Sequence, residues 1–241
     1  MRLAVVMYGH MRTYQGCLPC FKKNLIDAYS PDIFIHTWDE IEASTKSWHN
    51  QHLSRRKISK QELDQMKSFY NPVEMRMEEQ DPDLSIDTVG ANGISFQGQK
   101  FMLYSLKKAN DARVRHEKHL GKKYDVVLKI RPDIDLWKKP DIHEVPDNTV
   151  MVSARRSGTD LKSFKSYSVC DIVNFGGSDT MTKVNNAVDQ FEKFYLRKSS
   201  EIHSPWIDYI LSLGVTIDFS SQVYGKTGRE DWGILRKEGY A

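Results

Sequence analysis

The sequence predicts an α/β domain: a mostly parallel, twisted sheet flanked by helices. Three observations lead there. Strand-sized runs recur at Leu3–Tyr8, Asp32–His36, Val73–Met77, Tyr124–Ile130 and Val169–Phe175, rich in the β-branched and aromatic residues that fit a pleated surface. Helix-length amphipathic stretches separate the early runs, long enough for right-handed crossovers between parallel strands. The run from Tyr124 then breaks off into Arg131, Pro132, Asp133, Ile134 and Asp135, and open α/β sheets bind ligands beyond the carboxyl ends of their strands.

The first unit joins strand Leu3–Tyr8 to a helix over Leu18–Tyr29 that carries Phe21, Leu25, Ile26 and Ala28. Ser30-Pro31 breaks that helix, and Asp32–His36 forms the next strand. Residues 37–56 are polar and read as a long irregular connection, a kind of segment that commonly carries function. A helix around Lys60–Phe69 and a strand around Val73–Met77 complete a second unit, and residues 81–98, rich in Asp and Gly, read as a loop. Met102, Leu106 and Ala109 at helical spacing mark a long helix over Phe96–Leu120, stopped by Gly121.

After the central strand the pattern changes. Val150–Val152 reads as a short strand, residues 155–168 as a polar, mobile stretch, and Val169–Phe175 as a strand ending at Gly176-Gly177. Ser178 is placed as the cap of a helix whose Met181, Val184, Val188, Phe191 and Tyr195 form a core stripe. Ser204-Pro205 opens a last helix with its proline at the first position, Gly214 closes it, and Val215–Phe219 is the final strand. Residues 226–241 lack periodicity and read as an extended or disordered tail.

Composition narrows the function classes. A chain of 241 residues, 39% hydrophobic and 28% charged, builds one large soluble domain. A net charge of +3 with scattered basic pairs argues against nucleic acid and suits an anionic small substrate. No apolar stretch approaches the ~20 residues of a bilayer helix, and residues 1–8 run into a polar turn rather than a signal-peptide cleavage site. A cytosolic protein is expected. Three cysteines fit a reducing compartment. Cys17-Leu-Pro-Cys20 resembles a redox pair, but its distance from the end of the first strand points to buried or half-buried free thiols. Dinucleotide, P-loop, zincin and hydrolase motifs are absent.

Paired acids beside an arginine at a strand end suit a divalent cation and a phosphorylated ligand, because hard cations take oxygen donors. Asp133 and Asp135 can equally be turn residues after Pro132, with Arg131 as their ion-pair partner.

Five features in order carry a resemblance: Tyr8-Gly-His-Met-Arg-Thr13, Asp32-Ile-Phe-Ile-His-Thr-Trp-Asp39, the segment from Tyr124 to Leu136, Asp171-Ile-Val-Asn-Phe-Gly-Gly177, and Glu201 a turn before the helix that ends at Gly214. Together they resemble GT-A-type glycosyltransferases, in particular a group associated with surface polysaccharide synthesis in bacteria and some large viruses. The likeness covers most of residues 1–225. It implies a GT-A-like domain there, with a Rossmann-like, nucleotide-binding half over 1–121 and a metal and acceptor half over 122–225. It further implies a nucleotide-sugar donor, a glycan or lipid-linked glycan acceptor, and Mn²⁺ or Mg²⁺ held on the diphosphate by a D-x-D motif.

The D-x-D place departs from the family pattern. If Arg131-Pro-Asp133 fills it, arginine replaces the first acid and Asp133 alone binds metal, with Arg131 on phosphate. If Asp133-Ile-Asp135 fills it, the motif lies two residues later. Gly9 and Arg12 follow the first strand, where Arg12 meets the diphosphate or base, or else pairs with Asp39 or Glu40. His36 and Asp39 end the second strand as nucleoside contacts, unless His36 is a core histidine; Trp38 stacks on a base or packs. Glu201 and Asp171 are the candidate catalytic bases, with Asp208 as a competitor. A sugar-1-phosphate nucleotidyltransferase is the second reading, but it wants a glycine-rich basic loop where only Gly9 stands. A redox or non-catalytic module around Cys17 and Cys20 is the third.

Overall fold

Every residue of β1, Leu3–Tyr8, is buried. A strand that is apolar on both faces has to lie inside a sheet covered on both sides. The computed structural model describes residues 1–42, 56–80, 96–154, 169–196, 203–223 and 231–234. Within them β1 is flanked by β2 (Asp32–Trp38) and β4 (Val126–Ile130), both parallel to it. Beyond β2 lies β3, Glu74–Glu78, also parallel. On the other side come β7 (Val169–Gly176), β6 (Thr149–Ala154) and β8 (Thr216–Val223), giving the order β3-β2-β1-β4-β7-β6-β8. Only β7 runs against the rest, pairing antiparallel with both β4 and β6. The expected mostly parallel α/β sheet is what the chain forms.

The period-two alternation of strand side chains divides the core in two. Ala4, Val6 and Tyr8 face a cluster with Leu103, Leu106, Val184 and Ile210. Leu3, Val5 and Met7 face the other, with Phe21, Leu25, Met66 and Tyr70. Helices α4 (Phe96–Leu120), α5 (Ser178–Val184) and α6 (His203–Ser212) cover the first face, and α1 (Tyr14–Phe21) and α3 (Lys60–Tyr70) the second. Lys129, on the central strand β4, is wholly buried; its ammonium lies 4.8 Å from the Trp206 ring centre and 5.6 Å from that of Tyr8, close enough for cation–π attraction. Among the described residues no helix is long and apolar enough to cross a membrane.

Several elements differ from expectation. The first helix starts at Tyr14, not Leu18, and runs through Pro19 into a wider turn at Lys22–Ile26 before α2, Asp27–Tyr29. Ser178 does not cap α5: Gly177 holds the cap position, and the Ser178 hydroxyl hydrogen-bonds with Glu117 and Arg113 instead. The stripe after it is broken into α5, a 3₁₀ turn at Ala187–Gln190 and a wide turn at Glu192–Leu196, although Met181, Val184, Phe191 and Tyr195 are buried as expected. Of the expected tail only residues 231–234 are among those described. Trp232–Ile234 forms β9, antiparallel to β5 (Ile134–Leu136), and Trp232 is fully buried. Residues 155–168, like most of the expected loops 37–56 and 81–98, lie outside the described residues.

One buried polar network locks the first face. Arg113, with no exposed surface, donates to Glu117 (2.8 Å), Ser178 (2.6 Å), Thr182 (2.6 Å) and Asn110 (2.9 Å). Glu117 in turn accepts from Ser178 and from the backbone N–H of Tyr124, at the entry to β4. The charge pair thus joins α4, α5 and β4. Removing one partner of a buried pair strands the other charge, at a cost of about 3–5 kcal/mol. Arg113→Met should therefore lower the urea midpoint by that equivalent at unchanged slope. A loss under about 1 kcal/mol, no more than a surface pair contributes, would show that the network does not hold α4 to α5.

Candidate active site

The chain passes from β1 to β2 and β3 on one side, then returns to place β4 on the other. The boundary between β1 and β4 is therefore the point where strand order reverses, and open α/β sheets bind ligands in the crevice there. Two turns leave the sheet side by side at that place. After β1 the chain turns through Gly9 at φ +96° and Arg12 at φ +46°. After β4 it runs through Arg131, Pro132 and Asp133 into β5.

The two turns meet at Asp133, whose carboxylate is 1% exposed. Arg12 donates to its Oδ2 at 3.1 Å, Arg131 Nε to Oδ1 at 2.9 Å, and a terminal nitrogen of Arg131 also to Oδ2. Burial raises a carboxyl pKa, but here the charges of Arg131 and Arg12 prevail and hold it at about 2. The backbone N–H of Arg12 is bonded to the Ile41 carbonyl at 2.7 Å, which ties this turn to the segment after β2. A non-glycine residue at positive φ is strained unless its surroundings over-determine it. Arg12 is held at both ends.

The other expected donor contacts lie in different settings. His36 is buried on β2; its Nδ1 is 2.8 Å from the Ser105 hydroxyl, and that same hydroxyl accepts from the Gly9 N–H at 2.8 Å. It is a core histidine joining β1, β2 and α4, not a nucleoside contact. Its Nε2 lies 3.3 Å from Glu78. Trp38 is 1% exposed and stacks on Tyr104, so it packs rather than receiving a base. Asp39 pairs with Lys57 at 2.6 Å and not with Arg12. Asp135 accepts from the Trp137 indole N–H at 3.0 Å and neighbours Cys20. Cys17 and Cys20 are free thiols within α1, and burial with the nearby Asp133 and Asp135 carboxylates pushes Cys17 up, the reverse of an activated redox thiol.

Asp171 lies on β7. Lys129 is paired with Asn174 in the antiparallel β4–β7 ladder, so the residues before Asn174 lie toward the sheet edge where β4 releases Arg131. Glu201 falls outside the described residues, and Asp208 sits in α6. Two surface grooves of the described residues lie elsewhere: one runs beside Lys183, Asp189 and Tyr209, the other beside Tyr14, Leu18 and Phe69, and neither includes Arg12, Arg131 or Asp133.

His10 and Ser105 belong to the site and were not singled out from sequence. His10 is buried beside Arg12, and burial first, then that arginine, lowers its pKa to about 3. The neutral ring donates from Nδ1 to the Glu40 carbonyl at 3.0 Å and accepts at Nε2 from the Gln80 amide at 2.9 Å. Its place in Gly9-His10-Met11-Arg12 was a usable signal; Ser105, in mid-helix, carried none.

At the D-x-D place both oxygens of Asp133 accept guanidinium N–H groups, whereas Asp135 accepts from Trp137 through Oδ2 and its buried Oδ1 has no hydrogen-bond partner among the described residues. Among the described residues no three His, Cys, Asp or Glu side chains are grouped to hold a metal.

No family model matches the chain, and no curated protein matches it. Among solved structures it is similar to a glycosyltransferase involved in the glycosylation of the major capsid of PBCV-1, with a TM-score of 0.46 and 7% identity over 98% of this chain and 93% of that one. Activity has to be argued from the site itself.

The two buried histidines make a pH prediction. Both are neutral in the fold, with pKa about 3 for His10 and about 4 for His36 against 6.5 unfolded, burial being the main cause. Their contribution is complete above pH 6.5 and is lost as pH falls toward those folded values, since the unfolded chain then binds the extra protons. The limiting slope is about 1.4 kcal/mol per pH unit for each histidine. Asp133, ionised down to about pH 2, adds nothing in this window. Urea midpoints should fall between pH 7 and 5, with a shallower fall in His36→Gln. Equal stability at the two pH values would mean that neither ring is held neutral.

Proposed function

We propose that this protein is a GT-A-type glycosyltransferase that moves a sugar from a nucleotide-sugar donor to a hydroxyl of a glycan or lipid-linked glycan. The observation that carries the reading is the position of Arg12 and Arg131, side by side at the strand-order reversal between β1 and β4. A pair of guanidinium groups there suits a phosphorylated ligand, since Arg binds phosphate oxygens with fixed, bidentate geometry. The resemblance of five ordered sequence features supports sugar transfer over other nucleotide chemistry. The antiparallel strand of the main sheet is consistent with it, because the β4–β7 register carries the Asp171 end of β7 toward the same edge.

In this reading Arg12 and Arg131 anchor the donor phosphates and take up negative charge as the diphosphate departs. Such electrostatic stabilisation acts on the group whose charge develops in the transition state. A carboxylate, Asp171 or Glu201, removes the proton of the acceptor hydroxyl in an inverting reaction. His10 stays neutral beside Arg12 and positions the turn without competing for the anion.

A thermal-shift panel of sugar nucleotides tests the donor. The matching donor at a hundredfold excess over Kd should stabilise the fold by about 2.7 kcal/mol and release nucleoside diphosphate when acceptor is supplied. Arg12→Gln should raise the donor KM at least tenfold, for about 1.4 kcal/mol or more of lost binding. If no sugar nucleotide stabilises the protein or is turned over, the reading is wrong.

For the base, Asp171→Asn and Glu201→Gln should be assayed together. Loss of the true base lowers kcat by about 10²–10⁴-fold with donor affinity unchanged. Full activity in both variants would rule out both carboxylates and favour a retaining reaction.

A further inference from the structure

We infer that Glu78 is a positioning residue for the turn that carries Arg12: its carboxylate keeps the His36 ring proton on Nε2, and the ring in turn directs the Ser105 hydroxyl that holds the Gly9 N–H. The benefit to donor binding rests on the nucleotide-sugar reading; the direction of this relay does not.

Three elements and a turn supply the groups. Glu78 ends β3, with its side chain 19% exposed and Oε2 3.3 Å from His36 Nε2. His36 is wholly buried on β2, and its Nδ1 lies 2.8 Å from Ser105 Oγ on α4. Ser105 Oγ accepts the N–H of Gly9 at 2.8 Å, where the turn after β1 begins at φ +96°. Polar groups thus run without a break from a partly open carboxylate at the strand ends to the backbone beside the strand-order reversal.

The protons can be counted. A neutral imidazole has one N–H and one acceptor nitrogen, and a hydroxyl has one O–H. Ser105 has two places to send its proton: the His36 carbonyl at 3.1 Å and His36 Nδ1 at 2.8 Å. If the carbonyl takes it, Nδ1 carries the ring proton, and the Nε2 lone pair faces the Glu78 carboxylate. That is acceptor against anion, on a ring that burial shields from water. If Nδ1 takes it, Nε2 carries the proton and directs it at the carboxylate. The contact is slightly long for a hydrogen bond, but charge acts at this range. Donor then meets acceptor at every step: Gly9 N–H to Ser105, Ser105 O–H to Nδ1, Nε2–H to Glu78. Groups linked in this sense polarise one another and strengthen each bond. In the reverse sense Gly9 shares the Ser105 oxygen with a second donor, Nδ1–H.

The charges around the ring favour the neutral form. Burial first, then Arg76 and Lys108, lower the His36 pKa to about 4 against the opposing pull of Glu78. Burial raises Glu78, but the His36 bond and the charges of His36, Arg76 and Lys108 prevail and hold it below the usual carboxylate range. The carboxylate is fixed in place as well. Tyr104 O–H donates to Oε2 at 3.2 Å, Arg76 pairs with Oε1, and the Glu78 carbonyl accepts the Asp39 N–H at 2.8 Å. What selects the tautomer is therefore an anion that the ends of β2 and β3 hold still.

¹⁵N NMR of the histidine-labelled chain at pH 7 tests the tautomer, with the His36 signals identified by their loss in His36→Gln. Wild type should be protonated on Nε2 alone. A ring protonated on Nδ1, or on both nitrogens, overturns the inference. Glu78→Leu should move the proton at least partly to Nδ1 and speed amide hydrogen exchange at Gly9. It should also raise the donor KM by about threefold at unchanged kcat, a shift under 1.4 kcal/mol. Glu78→Gln keeps an acceptor oxygen beside Tyr104 and Arg76, and should restore all three. A wild-type tautomer in Glu78→Leu removes the role of Glu78. A changed tautomer with unchanged Gly9 exchange and donor KM overturns the positioning and leaves the glycosyltransferase reading intact. If Glu78→Leu does not fold, Ser105→Ala takes its place: Nε2 should stay protonated while Gly9 exchanges faster, and unchanged exchange overturns the relay. If no sugar nucleotide is bound or turned over, the functional reading fails, while the tautomer and exchange results still decide the relay.

Discussion

A carboxylate taken out of water has to be neutralised, and the arrangement of this crevice follows from that requirement at Asp133. Its burial alone would favour the protonated form, yet two guanidinium groups keep it ionised. One guanidinium comes from the same turn as Asp133 and the other from the turn after β1. The pair therefore sets the separation and direction of the two turns. That requirement explains why Arg12 keeps an unfavourable backbone conformation, and why its N–H and side chain are both tied down.

The sheet makes the requirement possible. Burial of both faces of β1 forces helices onto both sides, and the return of the chain to β4 puts two loop exits next to each other. Ser105 on α4 pins the exit of β1 through the Gly9 N–H and ties it to β2 through the His36 ring. The polar groups at the strand ends are thus held by a helix, a neighbouring strand and one another. Their positions are set by the rigid part of the fold rather than by loop residues, a common condition for a site that has to meet a charged ligand without rearranging.

What the sequence revealed and what it hid divide along contact range. Strands such as Leu3–Tyr8 and Val126–Ile130 were legible because their burial is written in consecutive side chains. Arg131 and Asp133 were legible as neighbours at a strand end. The partner of Arg12 was not: Asp39 and Glu40 lie far closer in sequence, and only the parallel pairing of β1 with β4 brings Asp133 to it. Ser178 looked like a helix cap because nothing local betrays the buried Arg113 that recruits it. The start of α1 was hidden by Gly16 and Pro19, whose usual meaning is overridden by packing of Tyr14, Cys17 and Phe21. A three-residue strand such as β9 has too little pattern of its own, since its pairing with β5 defines it.

That last strand also affects the order in which the protein can be completed. Ile134 is paired with Ile234, and Trp232 seals the core cluster beneath β5. A contact this distant in sequence forms late, because the loop entropy is lost before the contact compensates it. During synthesis, β1 to β4 are available to assemble while the strand that follows Asp133 still lacks its partner. The strand that leads directly out of the arginine–aspartate turn is therefore paired only after residue 234 has emerged.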